Sequence, residues 1–217
     1  NLGDNHFSGE AFGAFPVIGI LRGFDEALAI DAARSAADAG LTAIEVTMNT
    51  PAALEQIAAV RRALPETVCV GAGTVTRAED VRLAAASGAA FIVSPITNPA
   101  VMAAAAERRV PVFPGAMTPT EILAAHAAGA TMVKLFPAGA LGAEYLRSVK
   151  GPLDEVRLLP TGGIGLENLA DFLRAGASGF GIGSPLFDRQ RVTDHEWTWI
   201  QAQVVKFRDI IERTRDS

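Results

Sequence analysis

A single (β/α)₈ TIM barrel is the fold that this sequence predicts, and three observations predict it. Eight short apolar runs recur at fairly even spacing, segments with apolar residues at helical period lie between them, and a glycine repeatedly stands just before a run.

The runs are Val17 to Leu21, Ala43 to Met48, Val68 to Val70, Ala90 to Val93, Pro111 to Phe113, Met132 to Phe136, Arg157 to Leu159 and Phe180 to Ile182. The intervening segments are rich in Ala, Leu and Glu. Thr76-x-x-Glu79 and Thr118-x-x-Glu121 read as capping boxes, with Pro119 suited to a first helical position that needs no N–H. Ala39-Gly40, Ser87-Gly88, Ala128-Gly129 and Ala175-Gly176 close helices, because glycine takes the left-handed cap conformation at little cost. Alternating strands and helices joined by short links imply parallel strands and right-handed crossovers; a doubly wound open sheet is the alternative. The segment from Asp194 to Thr214 reads as a covering helix, with Trp197, Ile200, Val204, Phe207 and Ile211 on one face. Residues 1–14 show no periodicity and are left out of the barrel as a leader or tag-proximal stretch, so the expected domain spans 15–217.

The 217 residues are 49% hydrophobic, enough for one sizeable core. A net charge of −5 with no basic run argues against nucleic acid or membrane surfaces and points to small-molecule partners. The lone Cys69 cannot form an internal disulfide and sits in the apolar run Val68-Cys69-Val70, which suits a buried residue and a cytoplasmic setting. His6, His126 and His195 have no second ligand at familiar spacing, so no metal is expected; Asp194-His195-Glu196 reads as a helix start.

Two ionisable residues interrupt apolar strands. Alternation places Met132, Lys134 and Phe136 on one face, so the Lys134 ammonium points into confined space, where desolvation favours a neutral, nucleophilic amine. A buried lysine paired with a carboxylate for structure alone is the other reading. Glu45 stands in Ala43-Ile44-Glu45-Val46-Thr47 in the same way, as a proton-transfer group or as the counter-ion of Lys134 or Arg22. Arg22 ends the first run and is either a planar clamp for an anion or a surface residue. Glycine-rich turns occur at Gly71-Ala72-Gly73-Thr74, Thr161-Gly162-Gly163-Ile164 and Gly181-Ile182-Gly183-Ser184. The last two follow strands seven and eight, where barrels commonly hold phosphate.

From Pro16 to Phe187 the chain resembles the 2-keto-3-deoxy-6-phosphogluconate aldolases and their hydroxyketoglutarate and 6-phosphogalactonate relatives. Six motifs carry the resemblance in order: Glu45-Val46-Thr47, Gly71-Ala72-Gly73-Thr74-Val75, Ser94-Pro95, Phe113-Pro114-Gly115, Lys134-Leu135-Phe136-Pro137 and Pro160-Thr161-Gly162-Gly163-Ile164. The resemblance implies a class I aldolase with Lys134 as the Schiff-base lysine, Glu45 as the general acid/base and Thr74 on the pyruvyl carboxylate. It also implies phosphate held by Gly162, Gly163 and Ser184, a pocket wall made by Pro95 and Phe136, no cofactor, and a homotrimer. The implied reaction splits 2-keto-3-deoxy-6-phosphogluconate into pyruvate and glyceraldehyde 3-phosphate.

Many phosphogluconate-type members carry Arg where this chain has Asn49. Ile20-Leu21-Arg22-Gly23 and Asn49-Thr50-Pro51 resemble the phosphogalactonate branch instead, which suggests that the cationic clamp has moved to Arg22. Thr161, where that branch has Val, points back to the gluconate epimer, so the galactonate and hydroxyoxoglutarate substrates stand as alternatives. A phosphosugar isomerase or epimerase, or a non-catalytic sugar-phosphate binder, would have no need of Lys134.

Overall fold

The computed structural model describes residues 7–216. These form nine strands, β1 (Val17–Leu21), β2 (Ala43–Thr47), β3 (Cys69–Gly73), β4 (Ile92–Val93), β5 (Val112–Phe113), β6 (Gly115–Ala116), β7 (Val133–Leu135), β8 (Leu158–Pro160) and β9 (Phe180–Ile182). Every pairing is parallel, in a six-stranded sheet ordered β5-β4-β3-β2-β1-β9 and a three-stranded sheet ordered β6-β7-β8. The fold is therefore parallel α/β, with a curled sheet. The fifth expected strand, Pro111 to Phe113, holds β5, and β6 is a further short strand separated from it because Pro114 has no N–H to continue the ladder; the Pro114 carbonyl still accepts from the Lys134 N–H at 2.8 Å. The two sheets meet where Thr131 N–H donates to Val112 O at 2.9 Å. They meet again at Ser178 N–H to Leu158 O, 2.8 Å, and at a parallel bridge between Thr161 and Gly181.

The helices are α1 (Gly9–Ala14), α2 (Glu26–Asp38), α3 (Ala53–Ala63), α4 (Ala78–Ala86), α5 (Pro99–Arg108), α6 (Pro119–Ala127), α7 (Ala138–Lys150), α8 (Leu169–Arg174), α9 (Arg189–Thr193) and α10 (Trp197–Arg215). Gly40, Gly88, Gly129 and Gly176 all have φ between 91° and 103°, as their place after a helix requires. Thr118 and Glu121 form the expected capping box around Pro119. Thr76 does not cap: α4 starts at Ala78 with Arg77 at the cap position, one residue too late for the Thr76 hydroxyl.

Strand alternation divides the apolar residues into two cores. Ile44, Val46, Val70, Ala72, Val133 and Leu135 pack beneath the helices, while Ile18, Ala43, Cys69, Val93, Phe113, Met132 and Leu159 gather on the opposite face with Phe91. Phe12 and Phe7 join that second core. The rings of Phe7, Phe12, Phe91 and Phe113 lie 5.2 to 6.4 Å apart in tilted and edge-on pairs.

Part of the segment left out of the barrel thus belongs to its packing. Ser8 caps α1 by accepting from Ala11 N–H at 3.1 Å, and Phe12 is 2% exposed. A six-residue helix is too short to show a period, and burial of one aromatic ring stabilises it instead. Residues 1–6, including His6, lie outside the described residues.

Ile200, Val204, Phe207 and Ile211 of the last helix are fully buried, as their spacing predicts. Its start differs: Asp194 closes α9, His195 takes a left-handed φ of 56°, and α10 begins at Trp197. Gly71 to Gly73, expected in a turn, is strand. A side chain at Gly71 would overlap the Phe91 ring and one at Gly73 would overlap the Glu45 carboxylate, so both glycines are sites of close approach.

Candidate active site

A cavity of about 400 Å³ opens at the C-terminal ends of the strands. Arg22, Thr74, Pro95, Lys134, Phe136, Thr161, Gly162, Gly163 and Ser184 all line it, joined by Ile20, Phe24, Phe187 and Arg189, which the sequence reading did not single out. Glu45 lies behind this lining. Asn49 is exposed and outside it, whereas Arg22 is inside.

Lys134 is held at the centre of β7, in register with Gly115 on one side and Leu159 on the other, and is 3% exposed. Its Nζ stands 5.1 Å from the centroid of the Phe136 ring. Burial lowers its pKa most; Glu45 raises it in part, and Arg22 lowers it further. Glu45 in β2 pairs with Ile20 and Gly71 and is 1% exposed. Burial raises its pKa, against smaller opposite effects from Lys134 and Arg22, and its Oε1 has no hydrogen-bond partner among the described residues. Desolvation thus outweighs the mutual attraction in both groups. The pair is biased toward a neutral amine and a carboxyl that keeps its proton above the usual range.

Arg22 donates from Nη2 to Thr74 Oγ1 at 3.4 Å, and Thr74 itself has a φ of 57°, a left-handed conformation that costs energy in a β-branched residue. Thr161 Oγ1 donates to Leu159 O at 3.3 Å, so its lone pairs remain available toward the cavity. Gly162 and Gly163 have φ of 83° and 74°, which glycine alone adopts cheaply, and a side chain at Gly162 would crowd Phe136. Among the described residues, no group of three or more His, Cys, Asp or Glu side chains could hold a metal ion.

Of the residues missed, Ile20 could have been found from its period-two relation to Ile18, and Phe24 from its place after Arg22-Gly23. Arg189 carried a weaker signal: it is the first cation after the Gly183-Ser184 turn.

A lysine kept dry beside a carboxyl, under two arginines at the mouth of a parallel α/β sheet, is an arrangement suited to the chemistry of carbonyl compounds. The chain belongs to the KDPG and KHG aldolase family, whose family model matches residues 10–203, and it is accordingly an aldolase, a carbon–carbon lyase. It is 35% identical over 200 residues, 91% of this chain and 97% of the relative, to the 2-dehydro-3-deoxy-6-phosphogalactonate aldolase of Escherichia coli (strain K12). It is 43% identical over 94 residues to the 2-dehydro-3-deoxy-phosphogluconate aldolase of Treponema pallidum (strain Nichols), 43% of this chain and 44% of that one. Among solved structures, a KDPG aldolase from Legionella pneumophila with pyruvate captured as a covalent carbinolamine superposes with a TM-score of 0.83 at 28% identity, over 90% of this chain and 95% of that one. Membership sets aside the isomerase, epimerase and non-catalytic readings.

Proposed function

We propose that this aldolase cleaves 2-keto-3-deoxy-6-phosphogluconate to pyruvate and glyceraldehyde 3-phosphate, with Lys134 as nucleophile and Glu45 as proton-transfer group. The observation that carries the reading is the dry Lys134, its pKa lowered by burial, with Glu45 close enough to act on it electrostatically. Lys134 Nζ attacks the C2 carbonyl, and the neutral Glu45 carboxyl protonates the carbinolamine hydroxyl, which leaves as water to give an iminium and a Glu45 carboxylate. Glu45, directly or through a water, takes the C4 hydroxyl proton. The C3–C4 electron pair moves toward the iminium, the aldehyde leaves, and the enamine is protonated at C3 before water releases pyruvate. Gly162, Gly163 and Ser184 hold the phosphate, and Pro95 and Phe136 form the wall.

In the same proposal the two sheets act as one closed eight-stranded barrel, supported by the hydrogen bonds across both of their junctions. Self-association as a trimer draws support from exposed Ile96, Met117 and Leu123, apolar surface that a second copy could cover. A cytoplasmic location fits the single Cys69 and the absence, among the described residues, of a helix long and apolar enough to cross a membrane.

Arg22 and Thr74 take the carboxylate end. Arg22→Ala is expected to raise KM roughly ten- to a hundredfold for pyruvate exchange and for the phosphorylated substrate alike, the loss of a charge-assisted hydrogen bond. Steady-state kinetics on both would show it, and a loss confined to the phosphorylated substrate would move Arg22 to the other end.

Galactonate is the second reading, favoured by the near-full-length similarity to a relative named for that substrate. The Thr161 hydroxyl decides between them: a partner for the C4 oxygen in one epimer is left unsatisfied in the other, a difference of about 1–3 kcal/mol. kcat/KM on the two phosphorylated epimers is expected to favour gluconate, and Thr161→Val to shrink that preference. Equal values, or a galactonate preference in the wild type, would transfer the function to the second reading.

A further inference from the structure

Arg22 and Arg189 both rim the cavity, but different elements hold them. The turn after β9 is pinned by buried Leu186 and Phe187, whose N–H groups both donate to Gly183 O at 2.9 Å, so the backbone that carries Arg189 has a fixed relation to Ser184. The Arg189 guanidinium lies 5.5 Å from the centroid of the Phe24 ring and donates from Nη2 to Gly23 O at 3.2 Å. Gly23, with φ of 70°, leaves room for it: a Cβ there would stand 2.8 Å from Nη2. No carboxylate neutralises Arg189 among the described residues. Its neighbour Asp188 is engaged otherwise, accepting from Arg191 N–H at 3.0 Å. Arg22, by contrast, reaches Thr74, and its charge is felt at both Glu45 and Lys134.

We propose that Arg189 is the cation of the phosphate end, a binding residue that recognises a phosphate monoester beside the Gly162-Gly163 and Gly183-Ser184 turns. This rests on the reading that the cavity takes a phosphorylated 2-keto acid. The geometry fits a planar fork: one Nη2–H is spent on Gly23 O, the ring of Phe24 steers the guanidinium plane, and the remaining N–H groups are free to meet phosphate oxygens that turn amides alone would leave partly unpaired. The two anionic ends of the substrate would then be shared between two arginines, one beside the reacting lysine and one on the turn that follows the last strand.

Calorimetric titration with glycerol 3-phosphate, which has a phosphate and no carboxylate, tests this without needing turnover. Arg189→Ala is expected to weaken binding tenfold or more and Arg189→Lys by less, since the ammonium keeps the charge and loses the fork. Arg22→Ala should leave the affinity within about twofold, because it serves the other end. Thermal melting of each variant checks that the fold is intact, and the partial rescue by Lys separates a charge effect from a folding defect. Equal affinity in wild type and Arg189→Ala, a larger loss in Arg22→Ala, or no binding by the wild type at millimolar ligand overturns the assignment. Should wild type bind glycerol 3-phosphate yet cleave neither phosphorylated epimer, the function proposed above falls while the titration still decides Arg189.

Discussion

Borohydride reduction in the presence of pyruvate is expected to leave a reduced pyruvyl group on Lys134, and Lys134→Met to lower kcat by about 10⁴-fold or more, the scale on which loss of a covalent nucleophile acts. Only three lysines compete for the label. Lys150 spends its Nζ on the carbonyls of Asp154 and Val156, and Lys206 is exposed in α10, so neither lines the cavity or sits in an apolar strand. Lys134 lines the cavity from a buried strand, and burial lowers its pKa, which favours the neutral amine that attacks a carbonyl. Peptide mass analysis reads the outcome directly; labelling of Lys150 or Lys206 with Lys134 unmodified would falsify the mechanism.

Glu45→Gln is expected to keep iminium formation but to slow exchange of the pyruvate methyl protons, and kcat for cleavage, by about 10²- to 10⁴-fold, the usual contribution of a positioned acid/base. The acid limb of iminium formation separates this role from an electrostatic one. That rate falls as the pair takes up its second proton, because a protonated amine cannot attack, and at that step the Glu45 carboxyl already carries its own proton. A neutral Gln therefore leaves the acid limb close to where it was, and the loss falls on proton transfer. Trapping rates measured across pH in both proteins check it. Unchanged proton exchange in Glu45→Gln would reduce Glu45 to a packing role.

The charged pair was legible in the sequence because period-two alternation makes one ionisable residue inside an apolar run conspicuous, and both Lys134 and Glu45 occupy such runs. Helix ends at Gly40, Gly88, Gly129 and Gly176 were legible because a cap is a local matter of backbone conformation. What escaped was decided by contacts distant in sequence. Gly71 and Gly73 look like turn residues until Phe91 and Glu45 are seen to need the space a side chain would fill. Arg189 acquires its place from Phe24 and Gly23, more than 160 residues earlier, and no window along the chain contains both. Thr76 failed as a cap through a slip of one residue in where α4 begins, a margin that pattern alone does not resolve.

The four phenylalanines beneath the site bear on the order of events in a turnover. Phe12, Phe91 and Phe113 are buried to 2% or less, and with Phe7 they stopper the inner face on the side away from the cavity. Traffic therefore has one door. With Lys134 as the point of attachment, the three-carbon fragment that becomes pyruvate sits at the blind end and the phosphorylated fragment sits between it and solvent. The aldehyde must depart before pyruvate can, and in the reverse direction pyruvate must be seated before the aldehyde arrives. A stopper of aromatic rings thus imposes a last-in, first-out queue, and abortive complexes should form when the aldehyde phosphate enters an empty enzyme ahead of its partner.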